Sequence, residues 1–282
     1  MSEVIKAVEF PDREFESKQE LFRVLREDAD KLIAEKKATY KDVDGVQFKN
    51  TVDKSIMATK GIVVDSFESG YIYPVINTTN YLDSHNDLHI KGIWNKTYKE
   101  QKGKVSYIVN HELKIGSEIA YERDVDIFLH DFTFDQLGYN SKEATQALMF
   151  KIAKNNIVHA AAKDRIDKDI PTQNSVRMIY VTIDLAMNSD DKDDATYKKR
   201  YDKYVSKIAN RDDFESIYHF WVISEAKIHK EGSMVVAGSN DITPMVFGSK
   251  EPPTGTPMTP KDEPSEDTHK IVKALDFSYK HN

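Results

Sequence analysis

The sequence predicts an α+β protein dominated by β-structure. Three observations predict it. From about residue 55, short segments rich in Val, Ile, Tyr and Phe alternate with polar breaks, the texture of strands. Helical spacing is confined to a few separate stretches. The length, 282 residues with 39% hydrophobic and 31% charged, suits one or two soluble domains with a real core.

The elements follow in order. Residues 17–37, "SKQELFRVLREDADKLIAEKK", read as one helix: Ser17 and Glu20 form a capping box, and Leu21, Val24, Leu25, Leu32 and Ile33 form an apolar stripe. Its expected role is packing or assembly. "SIMATKGIVV", "YIYPVINT", "KVSYIVNHEL" and "DVDIFLHDFTF" read as strands. "NSKEATQALMFKIAK" (140–154) reads as a helix capped by Asn140 and Glu143. "SVRMIYVTIDLAM" (175–187) is a strand. Tyr197, Tyr201, Tyr204, Val205 and Ile208 mark a helix with an acidic start. "YHFWVISEAKI" (218–228) is another strand. Five of nine prolines fall between 252 and 264, so that stretch reads as a linker before a short tail. The expected organisation is an N-terminal helical segment (1–50), a main domain (51–248) and a Pro-rich linker with tail (249–282).

Composition excludes several classes of function. The chain has 40 basic and 47 acidic residues, a formal charge of -7, so no sequence-wide attraction to nucleic acid is expected. It has no cysteine, which removes disulfides, thiolate nucleophiles and cysteine zinc sites. No apolar run approaches the roughly 18 residues of a membrane helix. "MSEVIKAVEF" lacks the apolar core of a signal peptide, so a soluble intracellular protein is expected.

"LDSHNDLHIKGIW" (82–94) places Asp83, His85, Asp87 and His89 at alternate positions. On a helix, His85 and His89 would share a face and invite a metal. Asn86, Asp87 and the strand-like flanks instead argue for a loop entering a strand, where alternation puts all four on one face, equally compatible with a solvated edge. No third ligand cluster stands at a familiar spacing. The acidic "NSDDKDD" lacks the turn glycine and closing glutamate of an EF-hand. No metal and no organic cofactor is expected.

The same stretch, "NTTNYLDSHNDLHIKGIWNKTYKEQ", followed by "VNHEL" and "IG", resembles the prohead (head maturation) serine protease family of tailed bacteriophages. That family carries an Asp, a Gly-Asp-like pair, a Gly before an aromatic, and a His on the next strand. The matching positions are Asp83, Asn86 with Asp87, Gly92 with Trp94, and His111. "NSVRMIYVTIDLAMNSD" resembles the family's serine strand. "FWVISEAKIHKEGSMVVAGSNDITP" resembles its closing strand, where a Glu precedes a small residue and Ser and a "GSN..TP" element follows. The blocks run in the family's order over roughly residues 55–245.

The resemblance implies a closed or nearly closed β-barrel of the prohead and herpesvirus protease type, with peripheral helices. It implies a serine endopeptidase with Ser175 as nucleophile, His111 as base and Glu231 as orienting acid. Glu225 remains open as the third member because Glu225, Lys227, His229 and Glu231 share one face of an unbroken strand. His229 remains open because the related herpesvirus protease uses a second histidine there. Two departures stand out. Arg177 occupies a position where many members have glycine, and is a candidate oxyanion donor. Asn174 precedes the serine where many relatives have His. The implied substrates are phage scaffold and major capsid proteins and the chain itself, inside the immature head in the host cytoplasm. A homo-oligomer is admitted; no nucleic-acid or membrane partner is expected. The rivals are a catalytically inactive scaffold or virion protein of the same fold, and a metal-dependent hydrolase using the 83–89 cluster.

Overall fold

The computed structural model describes residues 4–39 and 61–250. The linker and tail from 251 onward, and the first half of "SIMATKGIVV", lie outside the described residues.

The N-terminal segment forms strands β1 (Ile5–Lys6) and β2 (Glu14–Phe15), then helices α1 (Lys18–Glu27) and α2 (Ala29–Ala38). Next come β3 (Ile62–Glu68), β4 (Tyr71–Thr78) and a short β5 (Asp87–His89). A four-residue helix, α3 (Thr97–Glu100), precedes β6 (Ser106–Val109), β7 (Glu118–Ala120), β8 (Asp126–Thr133) and β9 (Ala144–Ala153). Helix α4 (Ala160–Asp167) leads to the long β10 (Gln173–Met187). Helix α5 (Ala195–Tyr204) separates it from β11 (His219–Val235), and β12 (Met245–Lys250) follows. The fold is α+β, mainly β. Among the described residues, no helix is long and apolar enough to cross a membrane.

Two five-stranded sheets curl into a half-barrel. One has the order β10-β11-β6-β7, with β5 pairing β11; the other has the order β3-β12-β4-β9-β8. An isolated bridge between Gln173 and Pro244 joins the start of β10 to the segment before β12. The long antiparallel ribbon β10–β11 dominates the first sheet, and β5 and β6 lie parallel to opposite halves of β11. The main core draws Phe15, Leu21 and Leu25 of the N-terminal segment together with Ile72, Tyr107, Phe150 and Trp221 of the sheets and Trp94 of the turn after β5.

Two sequence expectations are corrected. The stretch 144–153 is a strand, not a helix. It lies between β4 and β8 with both faces covered, so the alternation that marks a strand is absent. Its Ala, Leu and Met residues then mimic a helix, and pairing on both edges overrides their propensity. The single helix expected over 17–37 is two helices meeting at Asp28. The expected cap is present, with Ser17 Oγ accepting from the Glu20 N–H; the Glu20 carboxylate reaches back to the N–H of Glu16 rather than that of Ser17.

Candidate active site

β11 is the axis of the site. Its residue Ser233 pairs with Ser175 of β10 on one side and with Ile108 of β6 on the other. Directly opposed residues of an antiparallel pair project to one face, and so do residues two apart on a strand. Ser175, Ser233 and Glu231 therefore share a face. Gly232, between them, projects to the other. A Cβ there would lie 2.6 Å from the Phe150 ring and 3.2 Å from Ile76, so β11 presses against the core at this point and only glycine fits. The small residue between Glu231 and Ser233 thus has a packing cause.

β6 delivers His111. The strand ends at Val109, and Asn110 and His111 both adopt left-handed backbone conformations (φ 51° and 56°). Two successive non-glycine residues there cost about 1–3 kcal/mol each and persist only where the surroundings hold them. The surroundings do. The Asn110 N–H donates to Met234 O (3.0 Å), and the His111 N–H donates to Ser233 Oγ (2.9 Å). Arg177 Nη2 donates to the His111 carbonyl (2.8 Å).

His111 Nδ1 lies 2.7 Å from Glu231 Oε1, with the histidine 8% and the glutamate 0% exposed. The carboxylate accepts only, so Nδ1 carries a proton, and in the neutral ring Nε2 presents a lone pair. Nε2 is buried and has no hydrogen-bond partner among the described residues. Glu231 Oε2 accepts from Ser233 Oγ at 2.9 Å, and the Arg177 Nε stands 3.7 Å from Oε1. A buried carboxylate needs such compensation, because its desolvation is otherwise prohibitive.

β11 is not an unbroken strand here. Val176 pairs with Gly232 and Met178 with Ile228, so Arg177 faces the three residues His229 to Glu231, and Lys230 is left-handed (φ 66°). Such a bulge re-aims side chains. Glu231 meets His111. Glu225 pairs in register with Thr182, roughly 20 Å along β10 from Ser175, and its carboxylate lies 3.8 Å from Lys96. His229 sits on the half-buried rim of the bulge, and the acid on His111 Nδ1 is Glu231. Arg177 is engaged with the His111 carbonyl and lies beside the Glu231 carboxylate.

Asn174 anchors the serine strand from behind. Its Oδ1 accepts from Tyr107 OH (2.5 Å), and its Nδ2 donates to the carbonyls of Thr243 and Pro244. The Asn174 N–H also donates to Thr243 O (2.9 Å). The "GSNDITP" stretch thus clasps the start of β10. In it, Gly238 N–H donates to Gln173 Oε1 (2.7 Å), and Asn240 ties back to Thr78 of β4.

No family model, curated protein or solved structure matches the chain.

The 83–89 cluster is interior rather than a solvated face: Asp83, Asp87 and His89 are buried. Asp83 Oδ1 accepts from the N–H groups of His85 and Asp87, closing a tight loop into β5. Asp87 binds Lys36 of α2 (2.5 Å) and Tyr180 of β10 (2.8 Å). His89 lies between Asn77 and Tyr180. Burial pushes the Asp83 carboxyl up to about 6, reinforced by the charge of Asp87, and burial lowers His89. Among the described residues, no three His, Asp or Glu side chains are grouped so as to hold a metal.

Two features of the site are not read from the sequence: the contacts of Ser233 and the left-handed backbone of Asn110 and His111. The first had a signal, a serine two residues beyond the acid and hence on its face. The second had none, since nothing in "VNHEL" demands positive φ.

Proposed function

We propose that the chain is a serine endopeptidase of the bacteriophage head-maturation type, with Ser175 as nucleophile, His111 as base and Glu231 as the acid that orients it. One observation carries the reading: the buried 2.7 Å contact between His111 Nδ1 and Glu231, which leaves Nε2 as an unpartnered acceptor. Ser175 lies two strand spacings, about 10 Å, from β6, the strand that delivers His111, with β11 and its Glu231 between them.

In the proposed reaction, Ser175 Oγ attacks the scissile carbonyl carbon and its proton passes to His111 Nε2. Glu231 stabilises the resulting imidazolium. The imidazolium then protonates the leaving amine. Water, deprotonated by the same nitrogen, attacks the acyl group, and Nε2 returns that proton to the departing Ser175 Oγ. Arg177 and Ser233 keep the base in place during both halves.

The further reading follows the sequence resemblance. The fold is of the prohead and herpesvirus protease type with a barrel closed or nearly so. The substrates are scaffold and major capsid proteins, with self-processing beyond about residue 249, inside an immature head in the host cytoplasm. The test is co-expression of the chain, and of its Ser175→Ala variant, with capsid and scaffold proteins, followed by intact mass measurement of every partner. Shortened partners with the wild type alone support the reading.

The second reading is a protein of this fold that serves as a scaffold or virion component without catalysis. It is favoured by one observation: Ser175 and His111 are not hydrogen-bonded to each other, because Nε2 has no partner among the described residues. Partners left intact by both forms would favour it.

A further inference from the structure

We infer that Ser233 is the positioning residue of the site: its single hydroxyl fixes the relation between the base and the acid. The inference rests on the protease reading above and deepens it. The hydroxyl accepts the His111 backbone N–H at 2.9 Å and donates to Glu231 Oε2 at 2.9 Å. One oxygen thus joins the backbone of the base to the carboxylate on its own Nδ1. Ser233 is fully buried.

The bridge does two things at once. It stabilises the left-handed backbone of His111, whose N–H would otherwise be a buried donor without a partner. It also occupies the second oxygen of Glu231, so the first is left to the imidazole. With one carboxylate oxygen held by Ser233 and the other by Nδ1, the carboxylate cannot rotate away from the ring. The same geometry separates the two serines. The Ser233 hydroxyl has its proton on Glu231 and a lone pair on the His111 N–H, so it is committed to structure. Ser175 occupies the paired position on the neighbouring strand and is the one left to react.

The test is the rate at which a fluorophosphonate labels Ser175, followed by intact mass and peptide mapping. Labelling forms an Oγ–P bond and breaks the P–F bond, releasing fluoride while His111 takes the proton. The rate therefore reads the base as well as the nucleophile. Ser233→Ala is expected to slow labelling of Ser175 by ~10- to 100-fold, the range expected when general-base action is weakened rather than abolished. It should also shift or remove the downfield proton resonance of the His111 Nδ1–H. Ser233→Thr keeps the oxygen and should label within about fivefold of wild type. If the alanine variant does not fold, Ser233→Cys, nearly isosteric but a weak donor and acceptor, should show the same slowing. Folded Ala or Cys variants that label at the wild-type rate, with the Nδ1–H resonance unmoved, overturn the positioning role while leaving the protease reading intact. A wild type that takes up label no faster at Ser175 than a His111→Ala variant overturns the reading itself, and this inference with it.

Discussion

His111 and Glu231 come from strands that lie side by side and parallel, and their side chains meet at 2.7 Å below the surface. In the proposed reaction the acid acts through the ring: it selects the tautomer and stabilises the charged imidazole. Glu231→Gln keeps the shape but can turn an amide N–H toward Nδ1, which favours the wrong tautomer. Peptide cleavage should fall about 10³- to 10⁴-fold in kcat with the fold retained. A loss under tenfold would remove Glu231 from the catalytic unit.

Arg177 should matter through the base it holds. Its guanidinium binds the carbonyl of a left-handed residue and lies near a buried carboxylate. Arg177→Ala should lower stability by about 1–3 kcal/mol in urea titrations, the usual cost of losing a buried charge-assisted hydrogen bond. It should lower kcat by ~10- to 100-fold. Unchanged stability with a loss of about 10²- to 10³-fold in kcat alone would instead assign Arg177 to an oxyanion site.

Gly232 places Glu231 and Ser233. An added methyl would meet the Phe150 ring at 2.6 Å, so β11 must shift or the ring must move. Gly232→Ala should destabilise by about 1–3 kcal/mol and reduce cleavage more than a distant core substitution of equal cost. Cleavage at the wild-type rate would show that the strand has room that the contact distances deny.

The sequence was legible where strands are built of β-branched and aromatic residues and illegible where they are not. β10 and β11 declare themselves through long runs of β-branched and aromatic residues. β9 is covered on both faces, and its Ala, Leu and Met residues carry a helical preference that only pairing with β4 and β8 overrides. At the site, His111 and Glu231 were named through a resemblance, and the alternatives Glu225 and His229 could not be dismissed, because the bulge at Lys230 depends on long-range register. Ser233 stood beside Glu231 in the quoted motif, yet its bond to the His111 backbone needs a turn that no local residue requires.

The buried Asp83 predicts a pH dependence. Its folded-state pKa is raised to about 6 from an ordinary 3.8, first by burial and then by Asp87. The folded protein therefore binds the proton more tightly than the unfolded chain. Stability from this group is fully present below about 3.8 and is lost as pH rises through about 6. Asp83→Asn keeps an oxygen for the His85 and Asp87 N–H groups and removes the charge. Urea titrations should show the variant gaining on the wild type as pH rises from 4.5 to 7.5, by up to about 2 kcal/mol. The same difference at both pH values would contradict the assignment.

In the proposed reaction Ser175 is a nucleophile activated by His111. Treating the purified full chain with a fluorophosphonate and mapping the adduct by mass spectrometry, beside His111→Ala and Ser175→Ala variants, probes this step. A single adduct on Ser175 is expected in the wild type, slowed at least about 10³-fold in His111→Ala and absent in Ser175→Ala. An adduct on another residue, or labelling of Ser175 that does not depend on His111, would contradict it.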